Sequence, residues 1–266
     1  MATFLVQNKR EIARWVESNF DFEFGQRVEQ QQLASQNGIP IEFVSKDDFD
    51  GEVIHKPNFI VYYDEDVRNA RYTLHVLIDS STRGNASRRG IRFNDAEKIF
   101  SNTAKYGDYS NTGFDRGHLV PAGDFQCCQR FLEETFAMSN IAPFDSALNR
   151  HAWNDLEIHT RKIARRFGKI IVLTGPVFMG NYEIGKYNNV EVPSHFFKIL
   201  AIPERKSNKI TRISAFLLPN KAVYSFDKKA FAVSVDRIEE LTNLDFFKNL
   251  PLDVENKLEG QIDVLN

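Results

Sequence analysis

The stretch TGFDRGHLVPAGDF, residues 112–125, sets Asp115, Arg116 and His118 within four positions of one another, bracketed by Gly113, Gly117, Gly123 and Pro121. An imidazole has an ordinary pKa near 6.5. A carboxylate that fixes its tautomer makes it an effective general base close to neutral pH. Gly117 reads as the point where the backbone turns and comes close to a ligand. An isolated histidine would more often be a satisfied structural residue, but His118 has an acid and a cation as neighbours.

Downstream, ALNRHAWNDLEIHTRKIARRFG, residues 147–168, has helical periodicity, and a single helix is expected over 146–167. Asn149, Trp153 and Glu157 fall at i, i+4 and i+8, so they share one broad face. An amide oxygen and a carboxylate on that face suit a hard cation that takes oxygen ligands and keeps some of its waters. The competing reading of the same spacing makes Asn149 an N-terminal cap and Glu157 a solvated residue. Arg161, Lys162, Arg165, Arg166 and Lys169 make the second half of the helix basic, which complements the helix dipole or meets phosphate. A second basic cluster, SRRGIRF, carries Arg88, Arg89 and Arg92 in a glycine-bounded loop, where guanidinium groups can reach a phosphate in bidentate fashion or stay solvated.

The surrounding segments supply a β core. HKPNFIVYYD and ARYTLHVLIDSS are rich in β-branched and aromatic residues and read as antiparallel neighbours across EDVRN. KIIVLTGPVF, residues 169–178, is an uninterrupted apolar run that suits a strand covered on both faces. VPSHFFKILAI and RISAFLLP repeat that signature as a hairpin-like pair, and short helices are expected over 133–138 and within DRIEELT. The N-terminal residues read differently, with helical periodicity over 8–20, a weaker helix over 26–35 and a turn at NGIP, 37–40. Residues 1–51 are therefore expected to be a helical extension, and 52–266 the main domain.

Composition bounds the class. With 42% hydrophobic, 26% charged and 12% aromatic residues, the chain of 266 residues is an ordinary globular one. A formal net charge of −2 and a pI near 6.3 show no whole-chain attraction to a polyanion, so any such site must be a local basic patch. Cys127 and Cys128 are adjacent, which disfavours an unstrained disulfide between them and fits a reducing compartment. The apolar run at residues 2–6 is too short for a signal-peptide core, and no later run approaches the ~20 apolar residues of a membrane span. A cytoplasmic protein with no membrane partner is the expectation.

The ordered set GFDRGHLVPAGDF, MSNIAPFDSALNRHAWNDLE, VLTGPVF, VPSHFFKIL and VSVDRIEELTNLDFF resembles the non-specific DNA/RNA endonucleases with a ββα-metal site, the family that includes endonuclease G. The likeness spans roughly residues 59–250. It implies an α+β fold, with a central mixed, mainly antiparallel sheet flanked by helices, and a Mg²⁺-dependent hydrolysis of phosphodiesters in DNA, RNA or both, with Mn²⁺ as a substitute and 5′-phosphate products. By the same resemblance His118 is the general base, Asn149 the direct metal ligand and Glu157 the carboxylate that orients metal-bound water. Asp115 and Asn140 are supporting residues around base and metal. An upstream arginine steadies the transition state, and Arg89 is the choice here, with Arg88 and Arg92 as alternatives. Arg88, Arg92, Arg116 and Arg161 are the expected nucleic-acid contacts. The chain departs from many relatives in carrying Phe144 after SNIAP where they carry glutamine, so no contact from that side chain is carried over. Two other readings stay open: a catalytically silent nucleic-acid-binding module, and a metal phosphoesterase acting on small nucleotides. A nuclease in the cytosol needs restraint, so residues 1–51 are expected to mediate a regulatory partner or a homo-oligomer, as in a defence effector.

Overall fold

Long apolar runs need cover on both faces of a sheet, and the computed structural model, which describes residues 51–95, 103–180, 182–204, 209–248 and 250–265, shows that arrangement. The helices, turn and partner role read into residues 1–50 lie outside the described residues.

In chain order the elements are β1 (Glu52–His55), β2 (Ile60–Asp64), β3 (Asn69–Ile78), β4 (Phe114–His118), α1 (Gln129–Glu134), β5 (Ile141–Asp145), α2 (Ser146–Arg150) and α3 (Ala152–Phe167). There follow β6 (Lys169–Val177), β7 (Glu183–Ile184), β8 (Val190–Glu191), β9 (His195–Pro203), β10 (Ile210–Pro219), α4 (Lys228–Phe231), β11 (Ala232–Val233), α5 (Val235–Thr242) and α6 (Leu252–Glu259). Seven strands form one sheet in the order β1-β2-β3-β6-β9-β10-β11. Every pairing in it is antiparallel, so the mixed sheet expected from sequence is corrected. The β2–β3 and β9–β10 returns are those the sequence indicates, while β1 adds an edge strand that it does not.

The central strands alternate between two cores. Ile170 and Val172 of β6 and Phe196 and Leu200 of β9 face Trp153, Leu156, Ile163 and Ala164 of α3. Ile171, Leu173, Phe197 and Ile199 face the other way, toward Val235 and Ile238 of α5 and Phe246. The sheet is thus covered on both sides.

On the α3 side, β4 pairs with β5 as a separate two-stranded ribbon, with His118 opposite Ile141, and the chain passes directly into α2 and α3. Asp145 caps α2 by accepting from the amides of Ala147 and Leu148, so Asn149 is not the cap. The single helix expected over 146–167 divides at His151, whose φ of −120° and ψ of −91° are not helical. The helix expected over 133–138 lies earlier, as α1, followed by a tight 3-10 turn at Met138–Asn140. Cys127 and Cys128 are free thiols.

Gly117 lies inside β4 rather than at a turn. A Cβ there would run into the ring of Phe144, which is fully buried, stacked on Phe196 at 3.6 Å and set against Trp153 at 5.3 Å. The missing side chain is space that Phe144 fills. Gly117→Ala should therefore cost ~1–3 kcal/mol through overpacking and lower the melting temperature by roughly 3–10 °C. Calorimetry would check this, and an unchanged transition would mean that Phe144 has room to move.

Candidate active site

Beside β4 and the start of α3 opens a cleft of about 400 Å³, lined by Arg88, Asp115, Arg116, His118, Asn149, Arg150, Asn154 and Glu157 with the backbone of residues 121–123. Three guanidinium groups face two carboxylates there, a balance that favours an anionic guest.

Asp115 sits on β4, and strand alternation directs it away from His118, three positions on. It accepts from Ser146 Oγ at 2.9 Å, from Asn149 Nδ2 at 3.0 Å, and from Arg150 Nε and Nη2 at 2.9 and 2.8 Å. Burial works to raise its pKa, yet these bonds from Arg150, Asn149 and Ser146 hold the carboxyl below its ordinary value. The expectation that an aspartate orients the histidine is corrected: Asp115 orients Asn149. With Nδ2 donating to the carboxylate, the amide oxygen is the end left to a cation.

His118 ends β4, seated edge-on against Phe136 at 4.8 Å and beside Phe93 at 5.7 Å. Its Nε2 is enclosed without a hydrogen-bond partner, so Nδ1 is the nitrogen available to the cleft. Burial, helped by the Arg88 cation, pushes its pKa down to about 3, and the ring is neutral at physiological pH. Arg88 lies over Phe136 at 5.6 Å and lines the cleft; Arg89 and Arg92, exposed as Arg88 is, do not line it. Of the three arginines weighed from sequence, the cleft brings in Arg88 and not Arg89, the first choice. Arg116 stacks on Tyr106 at 3.8 Å and donates to the Tyr106 carbonyl at 2.7 Å and to Ser110 Oγ at 3.0 Å, which fixes its charge at the cleft wall.

Asn140 is fully buried and does not reach the cleft. It accepts from the Val120 amide at 3.0 Å and donates to the carbonyls of Val120 and Thr135 at 3.0 and 2.8 Å, pinning the chain that leaves His118. Support, not chemistry, is what its position allows.

Beneath the cleft lies a buried charge network that sequence reasoning missed. Asp124 receives Arg161 Nη1 at 2.9 Å and His75 Nε2 at 3.1 Å, and Arg161 also stands 4.0 Å from Glu157. Arg161 is therefore corrected from a nucleic-acid contact to an internal ion pair. His75, fully buried, is held neutral by burial and donates from Nε2. Lys198, fully buried in β9, donates to Thr174 Oγ1 at 2.6 Å and stands over the Trp153 ring at 5.0 Å. Burial raises the Glu157 carboxyl to about 7 against the pull of Lys198 and Arg161. Arg150 and Asn154, also missed, carried one signal: each is three or four positions from another cleft residue in the helical run. Lys198 announced itself as a lysine inside an apolar strand.

The donor set can be tested against a metal. Among the described residues no cluster of three His, Cys, Asp or Glu lines the cleft, so a closed zinc site does not fit. One amide oxygen with its flip fixed, and one carboxylate nearby, fit a hard cation that keeps most of its water shell, as Mg²⁺ does.

Comparison with known proteins identifies the family. A family model described as DNA/RNA non-specific endonuclease matches residues 37–253, beginning inside the segment set apart as an extension. The chain is 32% identical over 208 residues to human mitochondrial Endonuclease G, covering 73% of this chain and 69% of that one. It is 33% identical over 212 residues to mitochondrial Nuclease 1 of Schizosaccharomyces pombe, covering 73% and 65%. Nuclease C1 of Cunninghamella echinulata var. echinulata is 34% identical over 219 residues, covering 75% and 84%. The fold is similar to a chain of the solved EndoG/EndoGI complex, with a TM-score of 0.74 and 24% identity over 86% of this chain and 96% of that one. The cytoplasmic expectation is corrected by these names, since relatives including the human and fission-yeast nucleases are mitochondrial. A short apolar N-terminus and two free cysteines do not discriminate between compartments.

The network makes a prediction of its own. Burial would raise the Asp124 pKa, but the His75 hydrogen bond and the charges of Arg161 and Lys198 depress it. Its stabilisation is fully present above the unfolded value of about 3.9 and is lost as pH falls through the lower folded value. Asp124→Asn should cost ~3–5 kcal/mol near neutral pH, because Arg161 is left buried without its partner. Urea denaturation between pH 3 and 7 should show that cost shrinking toward the acid end.

Proposed function

Because the chain belongs to the DNA/RNA non-specific endonuclease family, we propose that this nuclease cuts phosphodiester bonds of DNA and RNA in a divalent-cation-dependent reaction centred on His118 and Asn149. The observation that supports it best is the convergence of His118, Asn149, Glu157 and Arg88 on one cleft. Phosphodiesters resist hydrolysis because their anionic oxygens repel a nucleophile, so a catalyst must offset charge, supply a deprotonated water and stabilise the departing oxygen.

His118 takes the proton from a water placed in line with the scissile P–O3′ bond. Acting through Nδ1, it carries its own hydrogen on Nε2, and its depressed pKa keeps it unprotonated and ready. Asn149, with its amide flip set by Asp115, would hold the cation through Oδ1, with the Glu157 carboxylate lining the same cleft. Bound Mg²⁺, or Mn²⁺ in its place, contributes Lewis-acid charge stabilisation at the phosphate and leaving oxygen. Arg88 meets the extra negative charge of the transition state, and Arg116 and Arg150 hold flanking phosphates. Breaking P–O3′ leaves a 5′-phosphate and a 3′-hydroxyl. Contacts of this kind engage phosphate and sugar, so little sequence preference and a marked loss of affinity with salt are expected.

Plasmid DNA and RNA should both be degraded in Mg²⁺ and protected by a chelator. His118→Ala should lower kcat by ~10²–10⁴-fold, and Arg88→Ala should be severely impaired while Arg89→Ala stays within a few-fold of the native chain. Equal degradation by the native chain and His118→Ala would refute the assignment. Mg²⁺ affinity should also rise through pH 7 as Glu157 loses its proton, and Glu157→Gln should remove that dependence. Isothermal titration from pH 6 to 8 checks it; a flat profile in the native chain would take Glu157 away from the cation.

A further inference from the structure

On the face of the sheet remote from the cleft, α5 and α6 pack together and bring acid groups into contact without a cation among them. Asp236 and Glu239 on α5 and Glu259 at the end of α6 each offer an oxygen, all lying within 4.8 Å of one another. Glu239 is held in place by the Phe246 amide, which donates to its Oε1 at 2.6 Å. Glu259 is only 5% exposed, and its Oε1 is enclosed with no hydrogen-bond partner. An ionised carboxylate so placed needs a counter-charge.

Among the described residues, the neighbouring arginines are engaged elsewhere, Arg237 with Glu240 and Arg212 with Asp263. The acids Glu255 and Asp245 add further negative charge around Glu259. The C-terminal end of α6 adds the negative pole of its dipole.

We infer that Asp236, Glu239 and Glu259 form a structural site for a divalent cation of calcium's size, separate from the catalytic cleft. Calcium takes six to eight oxygens in flexible geometry at ~2.3–2.6 Å, which carboxylate oxygens lying within 4.8 Å of one another can satisfy, whereas magnesium demands near-ideal octahedral geometry. The ion would tie α6 to α5 and both to the sheet. Nothing in this rests on the nuclease reading.

The test uses the full chain, stripped with chelator and melted with and without Ca²⁺, beside Glu259→Gln, Asp236→Asn and Asn149→Ala. At about one hundred times Kd, Ca²⁺ should raise the melting temperature of the native chain by roughly 5 °C or more. Asn149→Ala should keep that rise, which separates this site from the cleft, and should bind one Ca²⁺ by isothermal titration. Glu259→Gln should lose the rise while melting without Ca²⁺ at or above the native temperature, because repulsion is relieved. Asp236 is exposed, so Asp236→Asn gives the same readout if Glu259→Gln fails to fold. The inference is overturned if Ca²⁺ leaves the native chain's melting unchanged, since protons would then satisfy the cluster, or if the rise disappears in Asn149→Ala and persists in Glu259→Gln.

Discussion

The candidate site depends on one carboxylate. Asp115 receives hydrogen bonds from Ser146, Asn149 and Arg150, and so joins β4 to the short helix α2 at the point where the ribbon becomes a helix. Without that junction nothing would decide which end of the Asn149 amide faces the cleft, because oxygen and nitrogen are nearly equal in size. A carboxylate accepts only, so it selects the Nδ2 end and leaves the oxygen outward. The break at His151 belongs to the same arrangement. It gives α2 a direction of its own, separate from α3, and allows Asn149 to answer to β4 while Glu157 answers to the sheet beneath.

That sheet is the second constraint. His75 from β3, Thr174 from β6 and Lys198 from β9 stand on the side of the sheet that faces α3, where their neighbours along the strands are apolar. His75 donates from Nε2 to Asp124, leaving Nδ1 without a partner, Lys198 donates to Thr174, and Arg161 links Asp124 to Glu157. In a medium of low dielectric such a network rigidifies when complete and is costly when broken. The floor of the cleft is therefore stiff, and the position of Glu157 is set by charges behind it as much as by its own helix.

Sequence carried much of this. The apolar runs of β6, β9 and β10 need two covered faces, and residues 112–125 announce chemistry by their crowding. What could not be read were relations through space. A residue three positions along a strand points to the opposite face, so the proximity of Asp115 to His118 in sequence implied the wrong partner; strand alternation, had β4 been recognised, would have corrected it. The loop of Arg88, Arg89 and Arg92 has no periodicity, so only the seat beside Phe136 distinguishes Arg88. Helical pattern continues on both sides of His151, which hides the break. Phe144 looked like a lost polar contact, yet it is the ring for which Gly117 makes room.

The two faces of the sheet treat charge in opposite ways, and the difference separates chemistry from architecture. Under the cleft, the buried acids Asp124 and Glu157 have Arg161, His75 and Lys198 within reach, so the protein neutralises itself and leaves the cleft's own charge for a substrate and its cation. Between α5 and α6, the acids among the described residues lie against one another and the negative end of a helix. The β-sheet core of Ile171, Leu173, Phe197 and Ile199 lies between, a low-dielectric slab that water does not enter, and neither group of acids can use the other's counter-charges. A chain whose net charge is only −2 can thus hold a cleft with more guanidinium than carboxylate groups and an acidic pocket at once, because what governs each site is the charge within a few ångströms, not the total.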